Sequence, residues 1–315
     1  MRFDEDGNEI PADDNLGAGE GVMEEGEEVP KVAAKSKTTG GGSTKVGSTQ
    51  NTKKTGDKPA HKEKEIVVGE WPQFRGPNRD NISRESGLLS KWPEDGPKLA
   101  WKQTGIGLGY SSVAAAQGKV FTMGNLGDDE MLFALDANSG DILWSLKTGS
   151  AYHNGTGDGP RGTPTVDDDR VYALGGNGDL VCAGVDSGNQ VWHVNILKEF
   201  AGDNIVWGIS ESVLIDGDHL ICTPGGKKAT FACLNKHTGK TVWKSQVPGH
   251  PPAGYSSMIA VDVGKVRQYV NFVHTAVVGI KASDGKPLWA GKARCTRALR
   301  ILLMLVMVRA NSPSI

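Results

Sequence analysis

Hydrophobic and polar positions alternate in short runs along residues 110–290, and the runs recur in a fixed order. Each round opens on a small apolar run: SSVAAA, TPTV, SVLI or SSMIAV. A turn follows, at Gln117-Gly118, Asp167-Asp168-Asp169, Asp216-Gly217-Asp218 and Asp262-Val263-Gly264. Next come β-rich runs such as KVFTMG, RVYALG and HLICTP, then a second Gly-rich turn and a strand like MLFALDA or ATFACLN. Short alternating segments bounded by turn residues, with no room for a long helix, predict strands. Four of them joined by tight turns predict one antiparallel meander per round.

Each round closes on Gly-x-x-x-Trp: Gly140 and Trp144, Gly188 and Trp192, Gly239 and Trp243, Gly285 and Trp289. The tryptophans are 48, 51 and 46 residues apart, a period that marks repeat architecture. A single four-stranded sheet leaves a face uncovered, and radial stacking of copies covers it. The expected fold is therefore all-β, a β-propeller of four-stranded antiparallel blades with about four blades present. Each Trp is expected to fill the space between neighbouring blades, and each Gly to allow a turn at positive φ.

Composition refines this picture at the ends of the chain. The 43 glycines among 315 residues suit many tight turns. Residues 1–30 carry 11 acidic side chains against Arg2 alone, and 31–65 carry nine Lys against three acids. With almost no large apolar side chain, 1–70 is expected to be a disordered charged tail or linker before a repeat domain at 71–293. Residues 294–315 break the pattern and read as an atypical tail, either a short amphipathic helix or a frameshift product that cuts the propeller short. Trp71, Trp92 and Trp101 are expected to supply the strand that closes a ring.

Several function classes lose support here. A net charge of −2 makes no case for nucleic acid. The apolar run at 301–308 is too short to span a membrane. The acidic N-terminus shows no secretory signal. Cys182, Cys222, Cys233 and Cys295 have no C-x-x-C spacing, so no metal site is expected. Cys222 and Cys233 flank one hairpin and are expected to face each other as small buried thiols rather than a disulfide. Kinase motifs are absent.

The inner strands of a propeller line a channel, and the loops at their starts form its mouth. Ser112, Thr163, Ser212 and Ser257 stand at those starts, beside Tyr110, Arg161, Trp207, Glu211 and Tyr255. Together they are the expected ligand-binding set, set against the alternative that the hydroxyls cap strand ends through local hydrogen bonds. In the loop 148–164, His153, Asp158 and Arg161 are candidate base, metal ligand or anion clamp, against a plain solvated loop. No residue is assigned as catalytic; Glu211 is the best carboxylate and Asp158 the second.

The stretch ALDANSGDILW resembles the tryptophan-docking motif A-x-D-x-x-[ST]-G-x-x-x-W of pyrroloquinoline-quinone-repeat propellers. Ala134, Asp136, Ser139, Gly140 and Trp144 match it, while later copies decay, with Cys182 and Gly184, Cys233 and Asn235, and Gly279 and Lys281 in the Ala and Asp slots. WPQFRGPNRDNIS, from Trp71, extends the resemblance, which covers about 71–293. It implies a ring of seven or eight blades and an extracytoplasmic setting. It also implies two functions: a non-catalytic binding or scaffold module, the preferred expectation, or a fragment of a quinoprotein alcohol dehydrogenase with pyrroloquinoline quinone and Ca²⁺ at the channel mouth. The absence of vicinal cysteines counts against the dehydrogenase. A partner protein at the open propeller edge or channel face is expected in either case.

Overall fold

The computed structural model describes residues 69–292 and the backbone of residues 2–3 and 9–10; the expectations for the rest of 1–70 and for 294–315 lie outside the described residues. Arg2–Phe3 (β1) and Glu9–Ile10 (β2) pair with each other, and β1 pairs with the last strand of the repeats through Arg2 and Trp289.

The repeats form four antiparallel blades, each with its four strands in chain order. Blade I holds β3 (Ala114–Ala116), β4 (Lys119–Leu126), β5 (Asp129–Asp136) and β6 (Ile142–Ser150). Blade II holds β7 (Thr165–Asp167), β8 (Arg170–Leu174), β9 (Asp179–Gly184) and β10 (Gln190–Asn195), followed by a one-turn helix, α1 (Ile196–Phe200). Blade III holds β11 (Leu214–Asp216), β12 (His219–Cys222), β13 (Phe231–Asn235) and β14 (Thr241–Ser245). Blade IV holds β15 (Ile259–Val263), β16 (Val266–Val273), β17 (Ala276–Lys281) and β18 (Pro287–Lys292). The short strands β3, β7 and β11 lie side by side as the inner strands, while β6, β10 and β14 alternate exposed and covered residues.

Because neighbouring residues of a strand face opposite sides, each blade feeds two cores. Phe121, Leu132 and Ala134 of blade I meet Val171, Ala173, Val181 and Ala183 of blade II. Tyr172, Leu180 and Cys182, on the other face of blade II, meet Leu220, Cys222, Ala232 and Leu234. Ile221 and Phe231 then meet Tyr269, Val278 and Ile280 of blade IV. The hydrophobic driving force therefore acts between blades, at about 1.5–3 kcal/mol for each large side chain fully buried.

The tryptophans join the blades. The Trp144 indole lies over Gly188 and donates to the Val185 carbonyl at 3.0 Å. Trp192 repeats this on Gly239 and the Lys236 carbonyl, at 2.8 Å, and Trp243 lies over Gly285. Each Trp thus seats on the Gly of the following blade, and these glycines have φ of 66, 71 and 74°. Trp101 does the same on Gly140, with its Nε1 donating to the Ala137 carbonyl at 2.9 Å. It is a fourth docking residue. Trp289 donates instead to Gln268 in its own blade.

Two details differ from expectation. Cys222 pairs with Ala232 and Cys233 with Ile221, so the two thiols are one residue out of step and face opposite cores. Cys182, Cys222 and Cys233 are buried and free. Trp71 docks on no glycine of a repeat but starts a strap along the inner edges of the blades. Its N–H and C=O both bond Ala115 of β3, at 2.8 and 2.9 Å. The Pro72 carbonyl accepts from Val166 of β7 at 2.7 Å, and the Arg79 guanidinium donates to the Ser212 and Val213 carbonyls at the start of β11, at 2.6 and 3.0 Å. Trp92 is exposed.

Candidate functional site

The loops preceding the inner strands gather at one end of the blades, and their side chains divide into stitches and a rim. Ser257 Oγ accepts the Ser212 N–H at 2.9 Å, and Ser212 Oγ accepts the Thr163 N–H at 2.8 Å. Each of these hydroxyls bridges one blade to the next rather than capping its own strand. Thr163 and Ser212 are buried, whereas Ser112 is exposed beside Ser111, whose Oγ donates to the Gly162 carbonyl.

The rim is aromatic and cationic. The Arg161 guanidinium lies 5.5 Å from the Tyr110 ring centroid and 4.6 Å from that of Tyr152, and it donates to the Gly157 and Gly159 carbonyls. Tyr152 donates its hydroxyl to the Val206 carbonyl at 3.1 Å. Trp207, the next residue, meets Tyr255 at a centroid distance of 5.2 Å, and its N–H reaches the Tyr255 hydroxyl at 3.3 Å. Tyr110, Arg161, Tyr152, Trp207 and Tyr255 are thereby linked across four loops. Tyr110 is 62% exposed, Val206 75% and Trp207 48%. Large exposed apolar groups set around a guanidinium match the composition of protein-contact surfaces.

Glu211 is enclosed, whereas Asp158 is partly exposed but already engaged by its own loop. Glu211 is buried, accepting from Thr223 N and Oγ1 at 2.7 and 2.9 Å and from Asn271 Nδ2 at 3.4 Å. Burial pushes its carboxyl up to about 7 against the relief from these hydrogen bonds and from Arg79. Asp158 accepts from the Asn154 N–H at 2.9 Å and pairs with His153 at 3.1 Å, and these hold it below the usual carboxylate range. A calcium–quinone site needs a carboxylate and other oxygen donors turned into an open cavity. Both carboxylates here are consumed by internal donors, the inner edges of β3 and β7 are bonded to the strap, and no cluster of three metal-ligating side chains occurs among the described residues. These residues do not fit that group.

Sequence patterns did not single out Tyr152, Arg79 or Glu130, and they gave Trp101 a place in a ring-closing strand rather than a docking role. Glu130 is buried between blades I and II, where its carboxylate accepts from the Gly176 N–H at 3.1 Å and from Thr148 Oγ1 at 3.4 Å. The one available signal was for Trp101, which precedes Trp144 by 43 residues, close to the repeat period.

A family profile described as outer membrane protein assembly factor BamB matches residues 128–300, more than half of the chain. The chain belongs to this family. BamB-family membership agrees with the repeat tryptophans Trp144, Trp192, Trp243 and Trp289, all of which fall in the matched segment. The outer membrane protein assembly factor BamB of Shewanella oneidensis is 25% identical over 190 residues, covering 58% of this chain. The crystal structure of BamB from Moraxella catarrhalis aligns over 63% of this chain at 17% identity and a TM-score of 0.48. The chain spans 43% of the Shewanella protein and 56% of the Moraxella one. The quinohemoprotein alcohol dehydrogenase of Comamonas testosteroni has the same fold, with a TM-score of 0.50 and 15% identity over 71% of this chain and 41% of its own.

Proposed function

We propose that this chain is a non-catalytic scaffold of the outer-membrane protein assembly type, and that its rim holds a partner polypeptide. The observation that carries this is the set Tyr110, Arg161, Tyr152, Trp207 and Tyr255, linked across four loops, with Tyr110 and Trp207 exposed, Arg161 and Tyr255 half-buried, and the buried Tyr152 ring supporting the guanidinium. Tyrosine, tryptophan and arginine concentrate binding energy at protein interfaces because each brings a large rigid surface and a polar handle. The BamB name of the family supports a partner in outer-membrane protein assembly and an extracytoplasmic setting. A dehydrogenase finds less support, since both candidate carboxylates are held by internal hydrogen bonds.

The test is the affinity of the full chain for an outer-membrane β-barrel polypeptide kept unfolded by dilution from urea, followed by biolayer interferometry. Tyr110→Ala and Trp207→Ala are expected to weaken binding about tenfold each, with an unchanged melting temperature. Equal binding by both variants, or no binding by the native chain, would remove the rim from the proposal. Dye-linked alcohol oxidation with added quinone and Ca²⁺ would overturn its non-catalytic part.

A further inference from the structure

The strap carries two neighbouring arginines, Arg79 buried and Arg75 half-buried, and leaves the Nε of each without an acceptor. Arg79 is 4% exposed; its two Nη atoms bond carbonyls of blade III, but its Nε is buried with no partner. Arg75, four residues earlier, also has a buried Nε without a partner; its carbonyl accepts the Asn81 N–H at 2.9 Å, but its side chain forms no hydrogen bond or ion pair with any described residue. Burial lowers the Arg79 pKa to about 10; Glu211 offsets part of that, and the charge of Arg75 adds to it. Glu211 is the carboxylate facing Arg79, and its oxygens already serve Thr223 and Asn271. Asp80, the following residue, accepts the Ile82 N–H.

Buried charged donors are normally paired, because an unmet one keeps its full desolvation cost. The backbone adds a second sign of design. Arg75, Arg79 and Asn81 have φ of 65, 56 and 59°, in the left-handed region that side chains seldom adopt. Such conformations persist where the surroundings impose them, often at binding sites.

We propose that Arg75 and Arg79 form the binding site for a small phosphate-class dianion, whose oxygens accept hydrogen bonds from their Nε–H groups at the inner edge of the blades. Two guanidiniums offer planar, permanently charged donors that suit a multi-oxygen dianion better than a single carboxylate. The anion neutralises the repulsion between them and fixes the strap against β3, β7 and β11.

The full chain is to be melted in inorganic phosphate and in chloride at equal ionic strength. Phosphate at tens of millimolar is expected to raise the melting temperature by about 2–6 °C over chloride. Arg75→Gln should abolish that rise while melting like the native chain in chloride, since the Arg75 side chain holds no other described residue and the backbone bond from Asn81 is kept. Glu211→Gln should enlarge it, because the opposing charge is gone. Glycerol phosphate in a parallel arm separates a site open to phosphate esters from one that takes the free ion alone. An equal shift in chloride, or a shift that survives Arg75→Gln, would refute the site. If Arg75→Gln does not fold, ³¹P line broadening by the native chain decides instead, and an unbroadened line counts against the proposal.

Discussion

The Trp144 indole rests on Gly188 of the next blade so closely that a Cβ there would lie 2.6 Å from its ring. Gly188 also has φ of 66°, so an alanine meets both a clash and a strained backbone. Gly188→Ala is expected to cost about 2–4 kcal/mol. Urea unfolding should show it, and the equivalent change at Gly118, which has positive φ but open space around it, should cost about 1–2 kcal/mol.

Blades II and III share a buried ion pair, Lys236 Nζ to Asp167 Oδ2 at 2.6 Å, with side chains 8 and 5% exposed. Removing one member leaves the other charged and buried. Asp167→Ala should cost about 3–5 kcal/mol, while Asp167→Leu with Lys236→Met should recover much of that. A double-mutant cycle in urea measures the coupling.

Stability should fall as pH rises from 5 to 8. Burial first of all pushes Glu130 and Glu211 from the ordinary 4.5 up to about 7. Between those values the folded chain binds more protons than the unfolded one, so stability is highest below about 4.5 and declines until about 7. Asp136 and Asp158, held below 3.8, lose their contribution only in stronger acid. Glu130→Gln and Glu211→Gln should each flatten the urea midpoint between pH 5 and 8, and an unchanged slope would show that their burial is not felt.

Arg161 ties the loop carbonyls of Gly157 and Gly159 while stacking on Tyr152. Arg161→Lys keeps the charge but loses the planar fork. Amide exchange in residues 154–159 should accelerate roughly tenfold with the global melting temperature almost unchanged.

What could be read from the chain were its local rules. Alternation, turn residues and the spacing of Trp144, Trp192, Trp243 and Trp289 specify four-stranded blades, because each depends on neighbours a few residues away. The docking partners follow another logic. Gly140 looks like the companion of Trp144 but carries Trp101, and Trp144 reaches forward to Gly188. The hydroxyls of Ser212 and Ser257, which a local reading makes strand caps, bond one blade to the next. Arg79 and Glu211 lie 132 residues apart and meet only once blade III has closed on the strap. A residue's own segment sets its strand, its turn and its face. Which group it meets across a blade junction depends on how separately formed sheets stack, and adjacent positions carry no trace of that.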